Sequence, residues 1–159
     1  MNKPLFYLIG ILLTLFQMFF ANIFDINGVV PNIPMIYLIL VALYYGEKET
    51  IYLAFILGII KDLYYYSNIG VTTFIYVIIV YIIGYNKNYF FNENLNIALL
   101  FVGLATVFLE GYFFLTSMIF ISTPYDLSIL NVLVRLVYNM AVTSIFFIIS
   151  KYDWKQVIQ

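Results

Sequence analysis

Six apolar stretches, each parted from the next by a few polar or turn-forming residues, organise this chain: Leu5–Phe24, Val29–Tyr45, Thr50–Tyr66, Ile69–Tyr85, Ile97–Ile121 and Leu127–Ile149. A bilayer core of about 30 Å needs roughly 20 apolar helical residues, or about 17 at the short end. The strands of a membrane barrel would instead alternate polar and apolar positions over about ten residues. These runs are apolar on nearly all sides, so they predict helices. The expected fold is all-α: a polytopic membrane protein with a single transmembrane domain over residues 1–159. Its helices are expected at roughly 5–24, 29–45, 50–66, 69–85, 97–121 and 127–149, packed as a six-transmembrane-helix bundle.

The breaks carry turn chemistry. Asp25-Ile-Asn27-Gly28 is a polar turn after the first run, and Pro31 and Pro34 stand where the second helix begins. Proline is tolerated there because a first-turn N–H has no intrahelical partner. Gly46-Glu-Lys-Glu49 reads as a tight loop, and Ser67-Asn68 precedes the fourth helix. Asn86-Lys-Asn88 with Asn92-Glu-Asn94, and then Ser122-Thr-Pro-Tyr-Asp126, separate the last three. No loop is long enough for a separate soluble domain, and no internal repeat is visible. The first run is too long for the apolar part of a signal peptide, and no small-x-small cleavage site follows it. It reads as an uncleaved first span.

Composition sharpens this picture. Only 9% of residues are charged, 65% are hydrophobic, and the mean hydropathy is +1.02. A soluble domain is about a quarter charged, so the solvent of this chain is lipid. There is no cysteine and no histidine. Thiolate chemistry is excluded, and the commonest general base and transition-metal ligand is missing. Neither a cofactor nor a metal site is expected. A net charge of -1 without a basic run argues against nucleic acid as a partner. With the N-terminus inside, Lys3, Lys48, Lys87, Lys151 and Lys155 face the cytoplasm and only Lys61 lies on the outer side. That asymmetry obeys the positive-inside rule and puts both termini in the cytoplasm. Aromatic residues at run ends, such as Tyr44-Tyr45, Tyr64 to Tyr66 and Tyr89 to Phe91, read either as interfacial belts or as the abundance of tyrosine here.

Polar groups inside apolar runs are the candidates for function, because placing them in lipid is costly. In the third run Thr50, Ala54, Gly58 and Asp62 recur every four residues and share one helix face. Small residues on such a face let another helix approach closely. Lys61 lies about 100° away and is expected to snorkel to the interface. In the sixth run Asn131, Arg135, Asn139 and Thr143 form a polar stripe. In the fifth, Gly103, Thr106, Glu110 and Ser117 form another. Arg135, the only arginine, lies eight residues into its run, ~12 Å deep. Glu110 lies ~16 Å deep and Asp62 only ~6 Å. Arg135 is therefore expected to pair with Glu110, with Asp62 as a second partner. Such stripes serve either to hold helices together or to meet a ligand or partner. Acid–base catalysis by Glu110 and Asp62 is disfavoured, since they sit on different helices at different depths.

One stretch is more specific. From Pro34 an apolar helix leads to a turn at Gly46, then a helix ending Gly58-Ile-Ile-Lys-Asp62, then Asn68-Ile69-Gly70 and another apolar helix. This layout resembles the rod shape-determining protein MreD family, in which a helix ends in a glycine followed by an aspartate. About eight residues later in that family a glycine opens the next helix. The matching positions here are Gly58, Asp62 and Gly70. The resemblance implies a non-enzymatic, multi-pass subunit of the bacterial cell-elongation machinery in the cytoplasmic (inner) membrane. It implies association with the transmembrane helix of MreC, and through it with MreB, RodA and the elongation penicillin-binding transpeptidase. On that reading Ala54, Gly58, Asp62 and Gly70 are the expected partner-binding and helix-packing positions. Glu110, Asn131, Arg135 and Asn139 form the buried polar network. The family is also distantly similar to the S-components of energy-coupling-factor transporters. The alternative is accordingly a vitamin-binding S-component with those four polar residues around its ligand.

Overall fold

The computed structural model describes residues 3–26, 28–64, 70–90, 94–120 and 128–155, the side chains of residues 3, 90, 120 and 150–155 excepted. The order of elements is α1 (Lys3–Phe20) with a 3-10 turn at Ala21–Ile23, α2 (Ile33–Tyr45), α3 (Glu47–Tyr64), α4 (Val71–Tyr85), the single-turn α5 (Lys87–Phe90), α6 (Leu95–Phe120) and α7 (Ile129–Lys155). Among the described residues there is no strand, only an isolated bridge between Ile26 and Val29.

The boundaries move for identifiable reasons. The second helix begins at Ile33, not Val29. Residues before it form a turn closed by the Gly28 N–H donating to Asp25 Oδ1 at 2.5 Å and by the paired backbones of Ile26 and Val29. Asn32 then caps α2, its side chain accepting from the Met35 N–H, and Pro34 occupies the first turn. At the other end, the expected loop at residues 46–49 shrinks to Gly46 alone. Gly46 has φ +84°, a left-handed conformation that glycine adopts without penalty, so the chain reverses in one residue. Glu47 and Glu49 then fall in the first turn of α3, where acidic groups complement the helix dipole. Helix α7 runs past Ile149 to Lys155, and its 27 residues span about 40 Å. The expected ends at Tyr66, Ile69, Ile121 and Leu127, and the turns at Ser67-Asn68 and Ser122–Asp126, lie outside the described residues.

By length and composition, three helical stretches can cross a bilayer: Pro4–Ile23, Leu95–Ile119 and Ile129–Ile149. Ile33–Tyr45 and Val71–Tyr85 are shorter apolar helices. The short α2 is the axis of the bundle. Every residue from Ile33 to Leu43 is buried, because α1, α3, α4, α6 and α7 all pack against it. A helix enclosed on all sides must be apolar all round, which is why α2 shows no polar face.

Helices α3 and α4 make the closest pair. A Cβ added at Gly58 would lie 2.4 Å from Thr73 Cα, and one at Gly84 would lie 2.4 Å from the Glu47 backbone nitrogen. The two helices thus touch backbone to backbone near both ends, each contact resting on the absence of a side chain. The outward faces carry large apolar side chains such as Leu8, Leu12, Leu104, Phe108, Val137 and Ile148. Such a surface suits hydrocarbon.

A candidate site in the buried polar network at one end of the bundle

The C-terminal halves of α1, α3 and α6 and the N-terminal halves of α2, α4 and α7 lie toward the same end of the bundle, and polar residues of the apolar runs gather there. The first cluster joins α3 to α4. Asp62 is fully buried, and its carboxylate accepts from four donors of the next helix. Oδ2 takes the Gly70 N–H at 2.9 Å, the Thr73 N–H at 3.1 Å and the Thr73 hydroxyl at 2.8 Å, while Oδ1 takes the Thr72 N–H at 2.9 Å. The first N–H groups of a helix have no intrahelical acceptor, and the dipole there favours an anion. Asp62 therefore caps α4 from a different helix. Gly70 holds φ +101°, which a residue with a side chain seldom adopts. That conformation presents its N–H to the carboxylate.

This geometry bears on two expectations. Asp62 was expected as a second partner of Arg135; its carboxylate is instead committed to the start of α4. Ala54, Gly58, Asp62 and Gly70 were expected to pack helices and to receive a partner; Ala54, Gly58 and Asp62 are buried within the chain, and the close neighbour at Gly58 is Thr73 of α4. The period of four correctly marks a close helix contact, but sequence spacing cannot say whether the neighbour belongs to the same chain.

The second cluster is centred on Asn32, in the connection between α1 and α2. Its Oδ1 accepts from the Tyr76 hydroxyl at 2.7 Å and from Lys61 Nζ at 3.3 Å, and Lys61 also donates to the Tyr76 oxygen at 3.1 Å. Lys61 sits 5.6 Å from the centre of the Tyr76 ring, near enough for a cation–π attraction. Lys61 thus turns inward rather than snorkelling outward. The reason is local: Asn32 and Tyr76 offer two acceptors and a ring face within reach of its stem. Gln17 of α1 brackets the same connection, donating to the Pro31 carbonyl at 2.7 Å and accepting from the Ile33 N–H at 3.0 Å.

From Asn32 the network crosses to α6 and α7. The Asn32 N–H donates to Asn139 Oδ1 at 2.8 Å, and Asn139 Nδ2 donates to Thr106 Oγ1 at 3.0 Å. One turn along both helices, Arg135 Nη1 donates to Glu110 Oε1 in an ion pair. The Glu110 side chain is 5% exposed and that of Arg135 22%. Burying either charge alone would be costly, and their pairing offsets that cost. Asn131 is half-buried on the same helix, one turn further out. The structure therefore brings Glu110 to Arg135, and Asn139 to Thr106 and Asn32. It holds Ala54, Gly58, Asp62 and Gly70 apart from them, in the α3–α4 contact.

Reading the stripes missed Gln17, Asn32 and Tyr76, and turned Lys61 outward. Gln17 and Asn32 each had a signal, a glutamine in an apolar run and an asparagine between two prolines. Tyr76 had none, being one of 16 tyrosines. Chemically, the network joins helices. Asp62 accepts from the N–H groups and the Thr73 hydroxyl at the start of α4, and Glu110 accepts from a guanidinium. Among the described residues no group of three metal-ligating side chains occurs.

In comparison with known families, residues 2–152 match the family model for the rod shape-determining protein MreD. No curated protein and no solved structure matches the chain.

Proposed function

The chain belongs to the MreD family, and from that premise we propose that it is a non-enzymatic, multi-pass subunit of the bacterial cell-elongation complex. In this reading it binds MreC in the cytoplasmic membrane and so helps to organise side-wall peptidoglycan synthesis with MreB, RodA and the elongation transpeptidase. The family is a shape-determining one and not a known enzyme family. The observation that carries the proposal is the family match over residues 2–152, almost the whole chain.

In this reading helices α1, α2, α3, α4, α6 and α7 are the six spans, with both termini cytoplasmic. Two features support this. Outward side chains are apolar on α1, α6 and α7, and the lysine distribution obeys the positive-inside rule. The helix ends holding Asp62, Lys61 and Arg135 then lie on the outer side.

The network has the character of a scaffold's interior. Its charges are matched inside the chain, which fixes the mutual placement of helices that lipid alone would not hold in one arrangement. The S-component alternative lacks support. Three of the four groups it would assign to a ligand bond other residues of the chain instead: Glu110 bonds Arg135, and Asn139 bonds Thr106 and Asn32.

Depletion and capture together test the proposal. Removing the chain from its source bacterium should turn rods into rounded cells, and tagged chain in mild detergent should co-purify MreC. Rod shape kept after full depletion, with no MreC recovered, would refute it.

A further inference from the structure

The helices of this chain are unequal in length, and the short ones that reach the surface stand together. Helix α6 has 26 residues, about 39 Å, and α7 has 27, about 40 Å. Helix α4 has 15, about 22 Å. Both of its ends are fixed, by Gly70 at φ +101° on one side and by Asn86, whose N–H donates to the Gly84 carbonyl, on the other. Helix α3 lies level with it, because Gly84 meets Glu47 at one end and Asp62 takes the Gly70 N–H at the other. Past the charged first turn of α3, residues 51–64 cover about 21 Å. A bilayer core of about 30 Å therefore exceeds this pair by about 8 Å. A long helix fits a thinner layer by tilting, but a short one cannot be lengthened, so the lipid must adjust.

Exposed tyrosines mark the edges of the same flank. Tyr52 of α3 and Tyr81 and Tyr85 of α4 are exposed toward the end that holds Gly46, and Tyr64 is exposed toward the other. Tyrosine rings favour the headgroup level. Tyr52 and Tyr64 stand 12 residues apart, about 18 Å along the axis. Centred in a core of ordinary thickness, both would sit about 6 Å inside hydrocarbon. Between these tyrosine levels the exposed side chains are Phe55 and Leu63 on α3 and Phe74 on α4, with Ile82 beside Tyr81. All four are apolar, and none offers a hydrogen bond to a partner helix.

We propose that the α3–α4 flank meets lipid and holds the adjoining bilayer thin, with a hydrocarbon core of about 20 Å there against about 30 Å beside α6. Every ångström of mismatch is costly, so lipids with short acyl chains are favoured along this flank. The inference needs α3 and α4 to be spans and makes no use of MreC.

The test uses the full chain in dioleoylphosphatidylcholine vesicles. The chain has no cysteine, so single nitroxide labels can be placed at Tyr52→Cys and Leu63→Cys, and at Leu104→Cys and Leu115→Cys on exposed positions of α6. Both pairs are 11 residues apart, about 16 Å. Label depth is read from collisions with oxygen and with a nickel chelate, and the two depths plus the spacing give the local thickness. About 20 Å is expected at α3 and about 30 Å at α6. Equal thickness at the two helices overturns the inference. So do labels at 52 and 63 shielded from both quenchers, which would mean that protein covers the face. Labels at 52 and 63 both in water would overturn it together with the six-span assignment, and would leave the family membership standing. A second arm needs no cysteine. In a Trp154→Phe background, Ile82→Trp and Leu104→Trp are placed in equal mixtures of dimyristoleoyl- and dierucoylphosphatidylcholine, with one or the other lipid brominated. The short lipid should quench Ile82→Trp about twofold more than the long one, and Leu104→Trp no more. The same ratio at both positions would refute the thin flank.

Discussion

Asp62→Ala should be among the most damaging single substitutions in this protein, and its damage should be local to α4. The carboxylate is fully buried and accepts four hydrogen bonds, from the N–H groups of Gly70, Thr72 and Thr73 and from the Thr73 hydroxyl. Loss of an ordinary cap costs about 1 kcal/mol. Hydrogen bonds to a charged group contribute about 1.5–3 kcal/mol each, but their effects do not add, because freed donors relax together. A total of about 3–5 kcal/mol is expected, the range seen when one member of a buried ionic contact is removed. Asp62→Asn keeps one acceptor oxygen but turns an NH2 toward N–H donors, so about 2–3 kcal/mol is expected for it. Unfolding in mixed detergent–SDS micelles would measure the ranking. Hydrogen exchange would place it: the amides of Thr72 and Thr73 should exchange roughly a hundred- to several-thousandfold faster in Asp62→Ala, since each 1.4 kcal/mol is tenfold. Amides in the middle of α6 should be much less affected. A loss below about 1 kcal/mol, within the range of ordinary surface changes, or equal acceleration in α4 and α6, would refute the cross-helix cap.

Glu110→Ala should destabilise by about 3–5 kcal/mol, while Glu110→Met with Arg135→Met should cost clearly less, because no unmatched charge remains; SDS unfolding of both variants checks the order. Gly58→Leu should cost at least about 1–3 kcal/mol, the usual penalty of overpacking, since its Cβ alone would lie 2.4 Å from Thr73 Cα; a normal melting temperature would contradict the close α3–α4 contact. Asn139→Ala and Thr106→Val should couple by about 0.6 kcal/mol in a double-mutant cycle, as interhelical hydrogen bonds in membranes do; strict additivity would break the link between α6 and α7.

Much of the fold was legible because lipid imposes simple rules. A run such as Leu127–Ile149 can satisfy its backbone in hydrocarbon only as a helix. Turn residues such as Gly46 and Pro34 punctuate such runs. The small-residue period through Ala54 and Gly58 marked a close helix contact, and the depths of Glu110 and Arg135 marked two groups able to meet. Asn32 could not be read this way. It lies in a connection, outside any periodic face, and its role appears only when α3, α4 and α7 converge on it.

What the amino-acid order determined by itself is the apolar character, the helical class, the approximate helices and the set of polar groups that lie within them. Those follow from transfer energies and helix period, which are local properties. Which polar group meets which was decided by the tertiary structure alone. The Gly58–Thr73 contact sets Asp62 against the start of α4, and so withholds it from Arg135. The enclosure of α2 by five helices brings Asn32 within reach of Lys61, Tyr76 and Asn139. A hydrogen bond extends only about 3 Å, so its partner depends on how helices far apart in sequence pack.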